Sequence, residues 1–127
     1  MNKKIILTAA LLGMIAVVLG AFGAHSLKDE LTVSELETWD KGVTYQFYHT
    51  LALLYLSTFA RYKNNLINMA YFSFLGGVVL FSGSLYLLST RAITGIDFSY
   101  IGIITPIGGL LFILGWLMLF LAALKDK

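Results

Sequence analysis

The 127-residue chain is 58% hydrophobic and 13% charged, with one proline, no cysteine and a formal net charge of +2. That composition leaves too little polar surface to cover a soluble globule, too little charge to suggest nucleic acid, and no thiol for disulfides, thiolate metal sites or thiol chemistry. What remains is an integral membrane protein whose solvent is largely lipid.

Four apolar runs, at residues 5–24, 43–60, 66–89 and 101–124, each approach the ~20 residues that cross ~30 Å of hydrocarbon at ~1.5 Å per residue. The expected fold is all-α, a single domain over residues 1–127. It is a four-transmembrane-helix bundle with a short interfacial amphipathic helix between helices one and two. The first run follows Lys3 and Lys4 and ends in small residues at 21–24, which superficially resembles a signal peptide. Its length exceeds the ~7–15-residue apolar core of such a segment, so it reads as a retained helix. Along it Ala9, Gly13, Ala16, Gly20 and Ala24 recur at spacings of three or four. Such a stripe permits close backbone approach where lipid supplies no hydrophobic drive for association, which places Gly13 and Gly20 at a helix contact.

The connection at 25–42 carries Asp29, Glu30, Glu35, Glu37 and Asp40, read as a solvated polar face rather than a cation site. Ser34 and Glu37 fit a capping box, and Leu36, Trp39 and Val43 recur at helical spacing. This segment is therefore expected along the outer interface of the membrane, running into helix two, with Trp39 as its anchor.

Helix two holds the polar constellation. Tyr45, Gln46 and His49 are spaced by three and four, so they share a face and are expected to turn inward and bond within the protein. His49 reads first as an interhelical hydrogen-bonding group, with proton or polar-ligand handling as the alternative because imidazole titrates near neutral pH. No metal site is expected, since two histidines on different helices with no HxxxH or HxxE spacing supply at best half a tetrahedral set. His25 ends helix one on the same side, and His49 lies roughly 9 Å deeper if helix two starts near residue 43.

In helix three, Gly76 and Gly77 mark packing and Ser82, Ser84 and Tyr86 mark a polar seam, unless the serines bond the preceding turn of their own helix. Arg91 and Asp97 bracket the next connection and are placed to pair. Thr105 and Pro106 either open helix four or kink a helix that begins at 101, and Gly108 and Gly109 are its packing glycines. His25, Tyr45, Gln46, His49, Ser82, Ser84, Thr105 and Pro106 form the candidate polar network or ligand-binding set near one leaflet. Orientation follows from basic residues: Lys3, Lys4, Arg61, Lys63, Lys125 and Lys127 on one side, Lys28, Lys41 and Arg91 on the other. The richer side is expected to be cytoplasmic, with both termini.

At four phrases a resemblance becomes specific. Gly-Ala-Phe-Gly-Ala-His-Ser-Leu (20–27), Trp-x-x-Gly-Val-x-Tyr-Gln-Phe-Tyr-His-x-Leu-Ala-Leu (39–53), Phe-Ser-Gly-Ser-Leu-Tyr (81–86) and Thr-Pro-Ile-Gly-Gly-x-x-Phe-x-x-Gly-Trp (105–116) stand in this order. The chain thereby resembles the domain of unknown function 423 family of small membrane proteins, which takes in the YwdK-like and YgdD-like bacterial proteins and the eukaryotic transmembrane protein 256 group. The resemblance implies a multi-pass protein of the bacterial cell membrane and brings no substrate, reaction or cofactor.

The residues favour a structural or accessory bundle in contact with the lipid bilayer, its small-residue stripes suiting neighbours in the same chain or in a second copy. The alternative is a small oligomeric channel or transporter for an ion, proton or small polar solute. An enzyme is not expected: there is no Ser-His-Asp set, no paired intramembrane carboxylates and no nucleotide loop.

Overall fold

A computed structural model describes residues 2–59, 65–97 and 99–126, which are helical or connecting with no strand among them. Arg61, Lys63 and Lys127, half of the basic set on the terminal side, lie outside the described residues, as does Ala60 at the end of the second apolar run.

Helix α1 (Lys3–His25) is capped by Asn2, whose Oδ1 accepts from the Ile5 N–H at 3.3 Å. The Asn2 N–H in turn donates to the Ser57 carbonyl at 3.0 Å, tying the start of α1 to the end of α2. Helix α2 (Val33–Phe59) therefore runs antiparallel to α1. It opens on a reciprocal capping box: the Glu35 N–H donates to Thr32 Oγ1 (3.1 Å) and the Thr32 N–H to Glu35 Oε1 (2.9 Å). That box lies two residues before the Ser34 and Glu37 pair suggested by the sequence.

From there α2 continues unbroken, so the amphipathic segment runs into helix two as expected but forms its first turns rather than a separate helix. Gly42, the weakest helix former near the junction, leaves room there for the Tyr86 ring, which would lie 2.8 Å from an ideal Cβ. Trp39 is likewise no surface anchor. It is 5% exposed, fills the notch left by Gly23, and donates its Nε1–H to the Leu19 carbonyl at 2.9 Å.

Helix α3 (Asn65–Gly77), a π-turn (Val78–Ser82) and helix α4 (Gly83–Ser89) follow one another directly as a single rod. A short α5 (Arg91–Thr94) ends at Gly95, whose φ of +71° is left-handed and suits glycine. Asp97 does not close an ion pair with Arg91. Its Oδ1 accepts from the Ser99 N–H at 2.9 Å, which holds the carboxyl below the usual carboxylate range. A 3-10 turn (Ser99–Ile103) leads into α6 (Ile104–Lys125), with Pro106 in its first turn, where a missing N–H forfeits no helix bond.

Among the described residues three stretches are long and apolar enough to cross a bilayer: Lys3–His25, Asn65–Ser89 and Ser99–Lys125, with mean hydropathies of 2.6, 1.7 and 2.5. Helix α2 has the length, 27 residues, but its tyrosines, glutamine, histidine and threonines lower its apolar character. It is nevertheless packed along the others, α1 on one side and the α3–α4 rod on another, while α6 packs chiefly on α3. One core cluster joins Ile5, Leu53, Leu56, Ile67, Phe74 and Ala122, which puts the N-terminal end of α1 and the C-terminal end of α6 together. A second, of Leu27, Leu31, Trp39 and Val43, closes the opposite end.

The closest approaches are made by glycines. A Cβ on Gly108 would collide with the Phe81 backbone, one on Gly77 with the Phe112 ring, and one on Gly115 would lie 2.6 Å from Phe74. Gly13 and Gly20 face Thr50 and Val43 with a Cβ clearance of 3.4 Å, an ordinary contact, and Gly76 meets Leu111 at 3.2 Å. Gly109 is looser still, 3.7 Å from the Phe81 ring.

Candidate functional site

His49 is buried on α2 and turns toward α6. Its Nδ1 lies 2.7 Å from the Tyr45 carbonyl, and the Trp116 Nε1–H donates to its Nε2 at 3.0 Å. A carbonyl only accepts and an indole N–H only donates, so the arrangement specifies a neutral imidazole protonated at Nδ1. The ring lies flat on Phe112, centroids 3.6 Å apart and planes 8° apart, with Phe74 and Trp116 tilted around it. Both nitrogens are thus engaged within the protein.

Gln46, three residues earlier, is equally buried but faces other helices. Its Nε2 donates to the Leu12 carbonyl of α1 at 2.8 Å, and its Oε1 accepts from the Tyr86 hydroxyl of α4 at 2.7 Å. One amide therefore joins three helices. Ser82, fully buried in the π-turn, donates to the Gly42 carbonyl at 2.7 Å, a bond across to α2 rather than back along its own helix. Ser84 donates to the Phe81 carbonyl in the preceding turn at 2.8 Å. Its single proton being used there, Ser84 Oγ accepts from Thr105 Oγ1 at 2.6 Å, which fastens the start of α6 to α4. The buried side-chain oxygen of Thr50 has no partner among the described residues.

Tyr45 stays 37% exposed, its ring against Phe81, and with Tyr48 it edges a lateral groove between α2 and α6. The groove has a volume of about 900 Å³; Leu51, Pro106, Gly109, Leu110 and Ile113 contribute apolar walls and Trp116 forms its far end. Pro106 thus lines the groove, while Thr105 belongs to the hydrogen-bonded seam.

His25 does not join the set. It is exposed at the end of α1 and bonded to none of the other candidates. Gly13 faces Thr50 and Gly23 faces Trp39, so His25 stands about 15–20 Å from the level of His49 at ~1.5 Å per residue. The shorter sequence-based gap assumed a start near residue 43, ten residues later than the helix actually begins. Trp116, the partner that the sequence shows only as the last letter of a motif, is the residue that spacing within one helix had no means to find. No group of three or more metal-ligating side chains gathers among the described residues.

A family model described as "Protein of unknown function (DUF423)" matches residues 19–109. The chain is 46% identical over 123 residues to a UPF0382 membrane protein of Staphylococcus epidermidis, covering 97% of each. It is 40% identical to UPF0382 membrane protein YwdK of Bacillus subtilis over 97% of this chain and 98% of that one. A UPF0382 membrane protein of Haemophilus influenzae is 40% identical over 100% of this chain and 98% of its own length. No solved structure matches.

Proposed function

This chain belongs to the DUF423 family, whose bacterial relatives are named membrane proteins, and on that premise we propose that it is a non-catalytic structural or accessory bundle of the bacterial cell membrane. In this reading four helices span, α2 among them, and both termini are cytoplasmic. The observation that carries it is the internal pairing of the polar set: Gln46, Tyr86, Ser82, Ser84, Thr105, His49 and Trp116 bond one another or backbone carbonyls, with the Thr50 hydroxyl the exception. Groups that serve a permeant must be free to meet it. Groups that are paired inside lipid instead fix how helices fit together.

Spanning by α2 is supported by the same bonds, because Gln46 meets α1 at Leu12, the middle of a helix apolar enough to cross. Single cysteines replacing Glu30, Asn65, Gly95 and Asp126 test the topology in intact cells. Positions 30 and 95 are expected to label from outside and 65 and 126 only after permeabilisation; labelling of 30 and 65 from the same side would remove α2 from the spans. The function is tested by reconstitution in liposomes and flux measurement for protons, common ions and small polar solutes. The structural reading expects no protein-dependent flux, and saturable, selective uptake would replace it with the transport alternative.

A further inference from the structure

The α2–α6 groove does not end at Tyr45 and Tyr48. Those two residues are shared with a second cleft of about 460 Å³, lined also by Glu37, Asp40, Lys41 and Thr44. Below the tyrosines the surface is apolar; above them it carries two carboxylates and one ammonium, all exposed and none in an ion pair among the described residues. Along α6 the groove runs from Pro106 to Trp116, ten residues or about 15 Å at ~1.5 Å per residue, which equals one leaflet's half of a ~30 Å hydrocarbon core.

We propose that this continuous face is a binding site for one zwitterionic glycerophospholipid, its acyl chain in the groove and its head group in the charged cleft. The inference rests on the four-span reading, which places the face in the leaflet away from the termini. Three features fit this occupant. The one strong donor at the groove's end, the Trp116 N–H, is already bonded to His49, so hydrocarbon there strands no polar group. Gly109 leaves the groove floor bare of side chain, with no atom nearer than 3.7 Å to its would-be Cβ. The head-group cleft offers Glu37 and Asp40 to an ammonium and Lys41 to a phosphate, whereas an anionic lipid would meet two carboxylates with a single compensating charge.

Trp116 reports on occupancy because it is 47% exposed in the groove, while Trp39 is buried between α1 and α2. The whole protein is reconstituted in phosphatidylglycerol vesicles, and its fluorescence is titrated with dibrominated phosphatidylethanolamine or dibrominated phosphatidylglycerol. The ethanolamine lipid is expected to quench at about threefold lower mole fraction, the scale of a surface ion pair. Glu37→Gln with Asp40→Asn, at exposed positions that bear no packing, is expected to erase the preference. Gly109→Leu, which fills the groove, is expected to weaken quenching by both lipids. Equal quenching by the two lipids, or a preference unchanged by the carboxylate substitutions, would overturn the site and leave ordinary boundary lipid. Absence of quenching together with disulfide cross-linking of Ile113→Cys between copies would assign the groove to a second protomer. A failure of the four-span reading shows separately, in the labelling of positions 30 and 65.

Discussion

Replacing Gln46 with Leu keeps roughly the same bulk and removes the amide that joins α1, α2 and α4. The two lost bonds do not weigh equally. The Leu12 carbonyl lies mid-helix and keeps its own α1 hydrogen bond, so its loss is small. The Tyr86 hydroxyl loses its acceptor inside the bundle, and an unsatisfied buried group costs about 1–3 kcal/mol. Membrane interiors soften this: measured interhelical hydrogen bonds average about 0.6 and reach about 1.7 kcal/mol, because the unfolded chain in lipid also finds partners. Gln46→Leu is therefore expected to destabilise by about 1–2 kcal/mol. Tyr86→Phe keeps the ring against Trp39, 4.8 Å between centroids, and is expected to cost about 0.5–1.5 kcal/mol. The double variant repairs the stranded hydroxyl, so the two losses overlap by about 0.6–1.7 kcal/mol. Reversible unfolding in mixed micelles, followed by circular dichroism, measures all four corners of the cycle. Additivity within about 0.3 kcal/mol would show that the amide and the phenol are energetically independent and that the network does not hold the helices.

Two adjacent glycines are expected to behave oppositely. Gly108→Ala forces the α6 backbone away from Phe81 and is expected to cost at least about 1–3 kcal/mol, while Gly109→Ala is expected to leave the same unfolding midpoint almost unmoved; equal effects at both would refute the assigned contact. For His49, nitrogen-15 NMR of the protein in micelles is expected to show a protonated Nδ1 and an unprotonated Nε2 near neutral pH, and the Trp116→Phe variant is expected to shift Nε2 while leaving Nδ1 bonded to Tyr45. A charged ring, or the opposite tautomer, would contradict the geometry.

Three of the helices were legible because apolar length is a direct record of bilayer thickness. Helix α2 was harder to bound. Its first ten residues carry Glu35, Glu37, Asp40 and Lys41, and a charged start conceals a helix whose later turns are packed. That single boundary produced two consequences: an interfacial helix with Trp39 as its anchor, and an estimated depth that brought His25 toward His49. Inward placement of Gln46 and His49 was readable from polarity and lipid's lack of hydrogen-bonding partners. Their actual partners were not, since Leu12, Tyr86 and Trp116 lie 34, 40 and 67 residues away in sequence and helical spacing relates only neighbours on one helix. Ser82 illustrates the same limit: a serine in a helix is expected to bond its own preceding turn, and only the approach of Gly42 reveals that this one does not.

The π-turn at Val78–Ser82 makes the rod's winding, rather than its composition, the sensitive quantity. It works as a phase adjuster between two angular settings: Phe74 before it is aimed at Gly115 and His49, while Tyr86 and Ser84 after it are aimed at Gln46 and Thr105. Winding the same residues as regular α-helix would over-rotate everything downstream by up to about 100°, because the wide turn is what absorbs the extra residue. Both downstream bonds would be lost at once, although every side chain that makes them would still be present in the chain.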